Sequence, residues 1–238
     1  MASKYLRPYI GAKELLHSLP RWCLWLEDLN PADLSRSKVL RERVENVRLM
    51  RSGSKKQATV SIAATPHLFG ERRALNVPYV CLPSVVSENR QYFAADYLPA
   101  TVIASNLVFT AEDPDGLIFA VASSSMFITW QKAIGGRLES RLRFSNTLVW
   151  NNLPLPSVPD DLRQLIIAAG QGVLEARANH PERSLADHYN PLAMAPELLK
   201  AHAALDRVVD RAFGAKVPLR SNEERLQILF ERYAELTA

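Results

Sequence analysis

Arg137-Leu138-Glu139-Ser140-Arg141-Leu142-Arg143-Phe144 is the stretch on which the reading of this chain turns. Read as a strand, its alternation puts Leu138, Leu142 and Phe144 on one face and Arg137, Glu139, Arg141 and Arg143 on the other. One face can then pack on a core while the other presents three guanidinium groups and a carboxylate. Arginine can bind guanine O6 and N7 with both arms of its fork, and glutamate can accept from cytosine N4. A Glu-x-Arg pair therefore has the chemistry to read both bases of one G·C pair. The competing reading is an exposed strand whose charges pair across the sheet.

Upstream, residues 58–122 read as short strands broken by turns. Ala58–Ala63, Val77–Leu82, Thr101–Ser105 and Leu117–Ala122 are apolar or β-branched runs bounded by Pro, Asn and Asp-Gly signals. A short helix is expected over Ser124–Ala133. Nearer the N-terminus, Trp22-Cys23-Leu24-Trp25-Leu26 reads as a buried strand, with Cys23 a buried free thiol. Asn30-Pro31-Ala32-Asp33 is a helix start, since Asn can cap, Pro fits the first helical position and Asp favours the positive end of the dipole. That helix is expected to run to about Arg51, with Leu40, Val44 and Val47 as its apolar stripe, and to stop at Ser52-Gly53-Ser54.

Downstream, Asn151-Asn152-Leu153-Pro154-Leu155-Pro156 and Pro159 form the expected domain boundary. Beyond it the pattern turns helical. Leu162, Leu165, Ile166, Ala169 and Val173 make one stripe, and Leu198, Leu199, Leu205, Val209 and Phe213 a second, closed by Gly214. Ser221-Asn222-Glu223-Glu224 is a capping box opening a third helix with the stripe Leu226, Leu229, Phe230 and Tyr233. The expected fold class is α+β: a mixed strand and helix domain over 1–155, then a small helical bundle over 156–238.

Charge divides along the same line. Residues 1–155 hold 19 Lys and Arg against 13 Asp and Glu, whereas residues 156–238 hold 10 against 12. A basic part joined to a mildly acidic one suggests that only the first meets a polyanion. Within 36–56, Arg36, Lys38, Arg41, Arg43, Arg48, Arg51, Lys55 and Lys56 are opposed only by Glu42 and Glu45. They suit either a solvated helix face or a surface that tracks phosphates. No apolar run approaches the roughly 20 residues that cross a bilayer. The N-terminus lacks an apolar signal core, so a cytoplasmic protein is expected.

Catalytic machinery is not legible. There is no glycine-rich phosphate loop, no Gly-x-Ser-x-Gly elbow and no Asn-Pro-Pro-aromatic run of the kind amino-methyltransferases use to hold a flipped base. None of His17, His67, His180, His188 and His202 pairs with another His or Cys at a ligand spacing, so no metal site is expected. His188 and His202 read as structural. Ser123-Ser124-Ser125 reads as a helix cap, and Asp160-Asp161 and Glu223-Glu224 as acidic helix starts.

A set of short motifs, in order along nearly the whole chain, resembles the C-terminal part of MmeI-like DNA methyltransferases of type II restriction–modification systems. They are Arg7-Pro8-Tyr9-Ile10-Gly11, Arg21-Trp22-Cys23-Leu24-Trp25-Leu26, Ser87-Glu88-Asn89-Arg90-Gln91-Tyr92, Met126 with Trp130, Gly136-Arg137-Leu138-Glu139-Ser140-Arg141 and Trp150-Asn151-Asn152-Leu153-Pro154. Ser184-Leu185-Ala186-Asp187, Tyr189, Pro191, Met194, and Lys200-Ala201-His202 with Asp206 complete the set. The resemblance implies a target-recognition domain and a helical domain, without the catalytic domain that precedes them in such enzymes. That absent domain would use S-adenosylmethionine to methylate an adenine N6; no cofactor is expected in this chain. Double-stranded DNA and the catalytic domain of the same parent are the implied partners, and no membrane.

The resemblance also implies base-reading positions at Glu139, Arg141 and Arg143, with Asn106 in the loop after an earlier strand. Arg41, Arg48, Lys55, Lys56 and Arg137 are the expected backbone contacts, and Ser87, Glu88 and Arg90 either hold a loop near DNA or tie the fold together. One position departs: members commonly carry His after the Met of the Met126 motif, and here it is Phe127. Two readings stand beside this one. The chain could be a protein-interaction module whose basic face meets an acidic partner, or an enzyme with an unrecognised site.

Overall fold

Tyr5, Leu26 and Leu40 form a small buried core, and a much larger one runs from Val80 to Leu229. The computed structural model describes residues 2–72 and 74–238. Its chain divides into two compact units: residues 1–10, 20–74 and 101–106 form the first, and residues 11–19, 75–100 and 107–238 the second.

In the first unit, β1 (Leu6–Ile10) is the central strand of a three-stranded sheet. It pairs antiparallel with β2 (Trp22–Leu24) and parallel with β6 (Ile103–Ala104), whose chain returns much later in sequence. Helix α2 (Pro31–Arg36) begins as expected, with the Asn30 side chain accepting from Ala32 N at 2.9 Å. The expected single helix to Arg51 is instead two. Ser37 adopts extended backbone, ends α2, and its hydroxyl caps α3 (Lys38–Ser52) through Leu40 N. The hydroxyl of Tyr5 donates to Asp33 at 2.8 Å and accepts from Asn30 N, tying the helix start to the core.

The second unit holds two further sheets. β3 (Tyr79–Pro83) is flanked by β5 (Asp96–Leu98) and β7 (Val108–Glu112), all antiparallel, and every residue of β3 is buried. The other sheet has the order β4 (Val85–Val86), β9 (Arg141–Arg143), β8 (Gly136–Leu138). Helices α1 (Ala12–His17) and α8 (Leu185–His188) pack on each other. Helix α7 (Asp160–Ala178) packs on α9 (Pro196–Ala212) and on α5 (Leu117–Ala122), while α10 (Asn222–Thr237) packs on α6 (Ser125–Ile134). The late helices thus share one core with the segments before them. At the α5–α7 crossing only a glycine fits: a Cβ on Gly170 would stand 2.6 Å from that of Ala120.

A buried polar network locks this core. Asp206 on α9 accepts from the amide and hydroxyl of Ser125 at 2.7 and 2.6 Å, and so caps α6 from another helix. Arg225 on α10 closes on Asp210 with two bonds of 2.9 and 2.7 Å. His202 stacks on Tyr92 with centroids 3.8 Å apart and shares a 2.9 Å bond with the hydroxyl of Tyr189, which also accepts from Arg177. Charged groups that are almost fully buried persist where such partners satisfy them. Tyr92, Tyr189, His202 and Asp206 all came from the motif set, so those motifs mark the core.

Other sequence expectations also fail. Ala58–Ala63 is not a strand: it forms α4 (Gln57–Ser61) and a 3-10 turn over Ile62–Ala64. Its β-branched residues are overridden by the guanidinium of Arg51, which donates to the carbonyls of Ile62, Thr65 and Leu68 and so satisfies the turn's open end. Leu117–Ala122 is also helical. Burial of Phe119–Ala122 on all sides erases its periodicity, and Asp113 accepts from Ile118 N and Phe119 N at its start. The 22–26 run is a strand only to Leu24; Trp22 is 60% exposed, and Cys23 is half-buried rather than buried. In the helical stripes Leu165, Leu199 and Phe230 are partly exposed. Ser124 does cap α6, through Phe127 N, and the Ser221 box and the left-handed Gly214 are present.

Candidate nucleic-acid interface

The Arg137–Phe144 stretch is a hairpin, not one strand. β8 and β9 pair in the register Gly136↔Arg143, Arg137↔Leu142, Leu138↔Arg141, joined by the two-residue turn Glu139-Ser140. The break reverses part of the expected facing. Directly opposed residues in an antiparallel pair project to the same side, so Arg141 and Arg143 share a face with Leu138, which is 43% exposed. Arg137 shares the other face with the buried Leu142, and its guanidinium donates to Lys132 O at 3.0 Å. Leu142 and Phe144 are buried as expected; Leu138 is not.

Glu139 sits at the tip with φ +57°, the left-handed region that a non-glycine residue enters at a cost of about 1–2 kcal/mol. A two-residue hairpin turn of this hand ordinarily places glycine there. Such strain concentrates where a side chain is needed in place. Glu139 Oε2 accepts from Arg141 Nη2 at 2.9 Å, with both side chains open to solvent. The free tip thus holds a carboxylate and a guanidinium already paired, a donor fork beside an acceptor.

The third strand brings in the second motif. Val86 lies opposite Leu142, and continuing that register carries Ser87 and Glu88 towards Arg141 and Ser140. The Glu88 carboxyl is held below the usual range by a backbone hydrogen bond of its own residue, by the hydroxyl of Ser140, and by the nearby charges of Arg141 and Arg137. Arg90 is different. Half-buried, its side chain has its guanidinium pKa lowered by desolvation, and its carbonyl accepts from Lys132 Nζ at 3.1 Å. It belongs to the framework beneath the hairpin. Phe127 is fully buried, with ring centroids 5.3 Å from Phe93 and 5.9 Å from Trp150. The position where a His was expected is therefore core in this chain.

The remaining expected residues lie in the first unit, which carries the charge. Its three segments contain 13 Lys and Arg against six Asp and Glu, a net of +7; the other unit, with 16 against 19, carries −3. The asymmetry is sharper than the division at 155 suggested. Not all of these cations are available. Arg41 donates to the carbonyls of Leu34 and Ser35 at the end of α2, and Arg48 is held by Glu45 through bonds of 2.8 and 2.5 Å. Arg51 is buried. Lys55 and Lys56 are exposed just past α3. Asn106 is exposed at the end of β6, in the wall of a cleft of about 240 Å³ that includes Tyr9, Trp25 and Phe69.

Sequence reasoning missed a second cleft in this unit, of about 450 Å³, whose walls include Arg21, Trp22, Arg43, Met50 and His67 and no acidic residue. Reading Trp22 as buried hid it. Basic and aromatic side chains interleaved in this way suit a polyanion with stacked bases. Among the described residues no group of three or more His, Cys, Asp or Glu could hold a metal ion, and no helix is long and apolar enough to cross a membrane.

The chain is similar to known proteins over nearly its whole length. Residues 1–157 match the family described as "MmeI, target recognition domain", and residues 158–238 match "MmeI, C-terminal domain". DNA methyltransferase A of Bacillus subtilis (strain 168) is 33% identical over 233 residues, 98% of this chain and 26% of that protein. The solved structure of the Type IIL restriction-modification enzyme MmeI in complex with DNA superposes with a TM-score of 0.90 at 35% identity, over 99% of this chain and 31% of that one. The chain thus spans about a quarter of the curated relative and about a third of the solved one.

Proposed function

We propose, from the premise that this chain belongs to the family of the MmeI target-recognition and C-terminal domains, that it selects the DNA sequence on which a restriction–modification methyltransferase acts. The observation that carries the proposal is the Glu139–Arg141 pair, presented at the tip of a hairpin whose other side is anchored by Leu142. In the major groove Arg141 would donate to guanine O6 and N7, and Glu139 would accept from cytosine N4. Arg143, on the face of Arg141, would read or support a neighbouring pair. Asn106 in the first unit would read a further base. Lys55 and Lys56, with the other exposed cations of that unit, would hold phosphates and set the register without reading sequence.

In this reading residues 1–155 recognise DNA, and residues 156–238 share one core with the segments of the second unit that carry the hairpin. The chain performs no chemistry. The parent protein would methylate adenine N6 with a separate catalytic domain, using S-adenosylmethionine bound there, and would flip the target base out of the stack. This chain's own residues take no step with that cofactor. A cytoplasmic location goes with the reading. The description of the solved relative as a complex with DNA supports duplex DNA as the partner.

The experiment is selection by the 238-residue chain from a pool of randomised duplexes at low salt, followed by sequencing. Enrichment of one short motif is the expected result. Salt-dependent binding without any enriched motif would contradict sequence recognition, and retention of an acidic protein in preference to DNA would favour the interaction-module alternative.

A further inference from the structure

Glu88 is not among the base-reading positions, yet the fold places it against them. It follows β4, the strand that pairs with β9 through Val85↔Arg143 and Val86↔Leu142. Two residues further along that register lies Ser140, the second residue of the hairpin turn. That register sets Glu88 across from the Ser140 side chain, and Ser140, Arg141 and Arg137 all act to lower the Glu88 carboxyl pKa. The turn is therefore held from outside the hairpin as well as by its own two strands. The turn needs such a hold, because Glu139 keeps left-handed backbone without being glycine. Strained conformations persist where surroundings over-determine them.

The charges around the tip also need a second carboxylate. Arg141 has Glu139 as its direct partner at 2.9 Å. When Glu139 turns to accept from a base, Arg141 loses that partner unless another acid stands near. Glu88 is the acid so placed, with the charges of both Arg141 and Arg137 acting on its carboxylate.

We propose that Glu88 is a positioning residue for base recognition: by accepting the Ser140 hydroxyl it fixes the Glu139-Ser140 turn, and its charge holds the Arg141 guanidinium in place while Glu139 engages DNA. The proposal rests on the hairpin being the base-reading element described above.

The test compares wild type with Glu88→Ala, Glu88→Gln, Ser140→Ala and Arg141→Ala in the same duplex selection, reading the preference at each motif position. Melting temperature and total binding to a non-specific duplex are measured alongside. Glu88→Ala is expected to lower the preference about tenfold at the position that Arg141→Ala affects, the scale of a lost charge-assisted hydrogen bond. Preference at the other positions and non-specific binding stay unchanged. Glu88→Gln keeps an acceptor for Ser140 and is expected to recover part of the preference. Ser140→Ala should shift the same position in the same direction. Equal losses at all positions with a lowered melting temperature would mean a merely structural residue and overturn the inference, as would an unchanged preference. If Arg141→Ala also leaves every position unchanged, the base-reading role of the hairpin itself fails. If Arg141→Ala acts and Glu88→Ala does not, only the inference about Glu88 fails.

Discussion

Leu142 lies opposite Arg137 in the hairpin register, so Arg137 stands on the face of the buried leucine and not on the face of Arg141 and Arg143. The two kinds of arginine should therefore respond differently to removal. Arg141→Ala is expected to relax preference at one base pair and cost about 1–3 kcal/mol there. Arg137→Ala is expected to weaken binding nearly equally for all sequences. Competition binding against duplexes varied one position at a time separates the two effects.

Glu139→Gly should divide stability from recognition at the tip. Glycine accepts the left-handed backbone freely, so the variant is expected to be as stable as wild type or more stable by up to about 1 kcal/mol. Without the carboxylate, discrimination at the cytosine partner is expected to disappear. Urea unfolding checks the first expectation and sequence selection the second. A destabilised variant would mean that the turn does not carry the strain its backbone angle indicates.

Salt dependence should rank the cations of the first unit by their freedom. Lys55→Gln and Lys56→Gln are each expected to reduce the slope of log affinity against log salt by about 1. Arg48→Gln is expected to reduce it less, because Glu45 already neutralises that guanidinium. Titrations between low and physiological salt measure the slopes. Equal effects for all three would place Arg48 on a phosphate despite its partner.

Arg225 and Asp210 form an almost fully buried pair, with Asp206 at 4.0 Å. Removing only the arginine leaves two acids without a cation in the core. Arg225→Ala is expected to destabilise the chain by about 3–5 kcal/mol, measured by denaturant unfolding. Replacing Arg225 and Asp210 together by apolar residues of similar volume is expected to recover much of that loss.

His202 should make stability depend on pH. Burial, and then the charge of Arg177, push its pKa from 6.5 down to about 3, and it is packed between Tyr92 and Tyr189. The unfolded chain therefore binds a proton that the folded chain refuses. This contribution is complete above 6.5 and is lost as pH falls towards 3, by about 1.4 kcal/mol per pH unit within that window. His202→Gln cannot titrate and should lack this part of the slope. Urea unfolding of both proteins at about pH 7, 6 and 5 compares them, the difference removing the opposite effect of the buried acids.

Elements with local chemical signals were legible in the sequence. The caps at Asn30, Ser124 and Ser221, the left-handed Gly214 and the run of β3 all follow from side chains near their own backbone. What was not legible depended on distant partners. Residues 58–63 fold as a helix and a turn because Arg51 reaches the carbonyls of Ile62, Thr65 and Leu68 at their end, and Leu117–Ala122 because Asp113 caps a segment buried on all sides. At the candidate site, alternation identified Arg141 and Arg143 on one face, but it could not show the reversal at Glu139, since Glu139-Ser140 is not one of the glycine-containing pairs that mark a two-residue hairpin turn. Phe127 shows the converse. Its departure from the resembled pattern carried no structural meaning in the sequence, and burial against Phe93 and Trp150 explains it as packing. The cleft beside Trp22 and Arg43 arises only when separated segments meet.

The most direct test of the central claim exchanges Glu139 and Arg141 together for another pair of side chains in the complete gene product and maps methylated sites in cells expressing each version. The account predicts that methylation moves to sites differing at one motif position, with the rest of the motif retained. Methylation at the unchanged motif in the exchanged version would contradict it, because the pair at the hairpin tip would then read nothing.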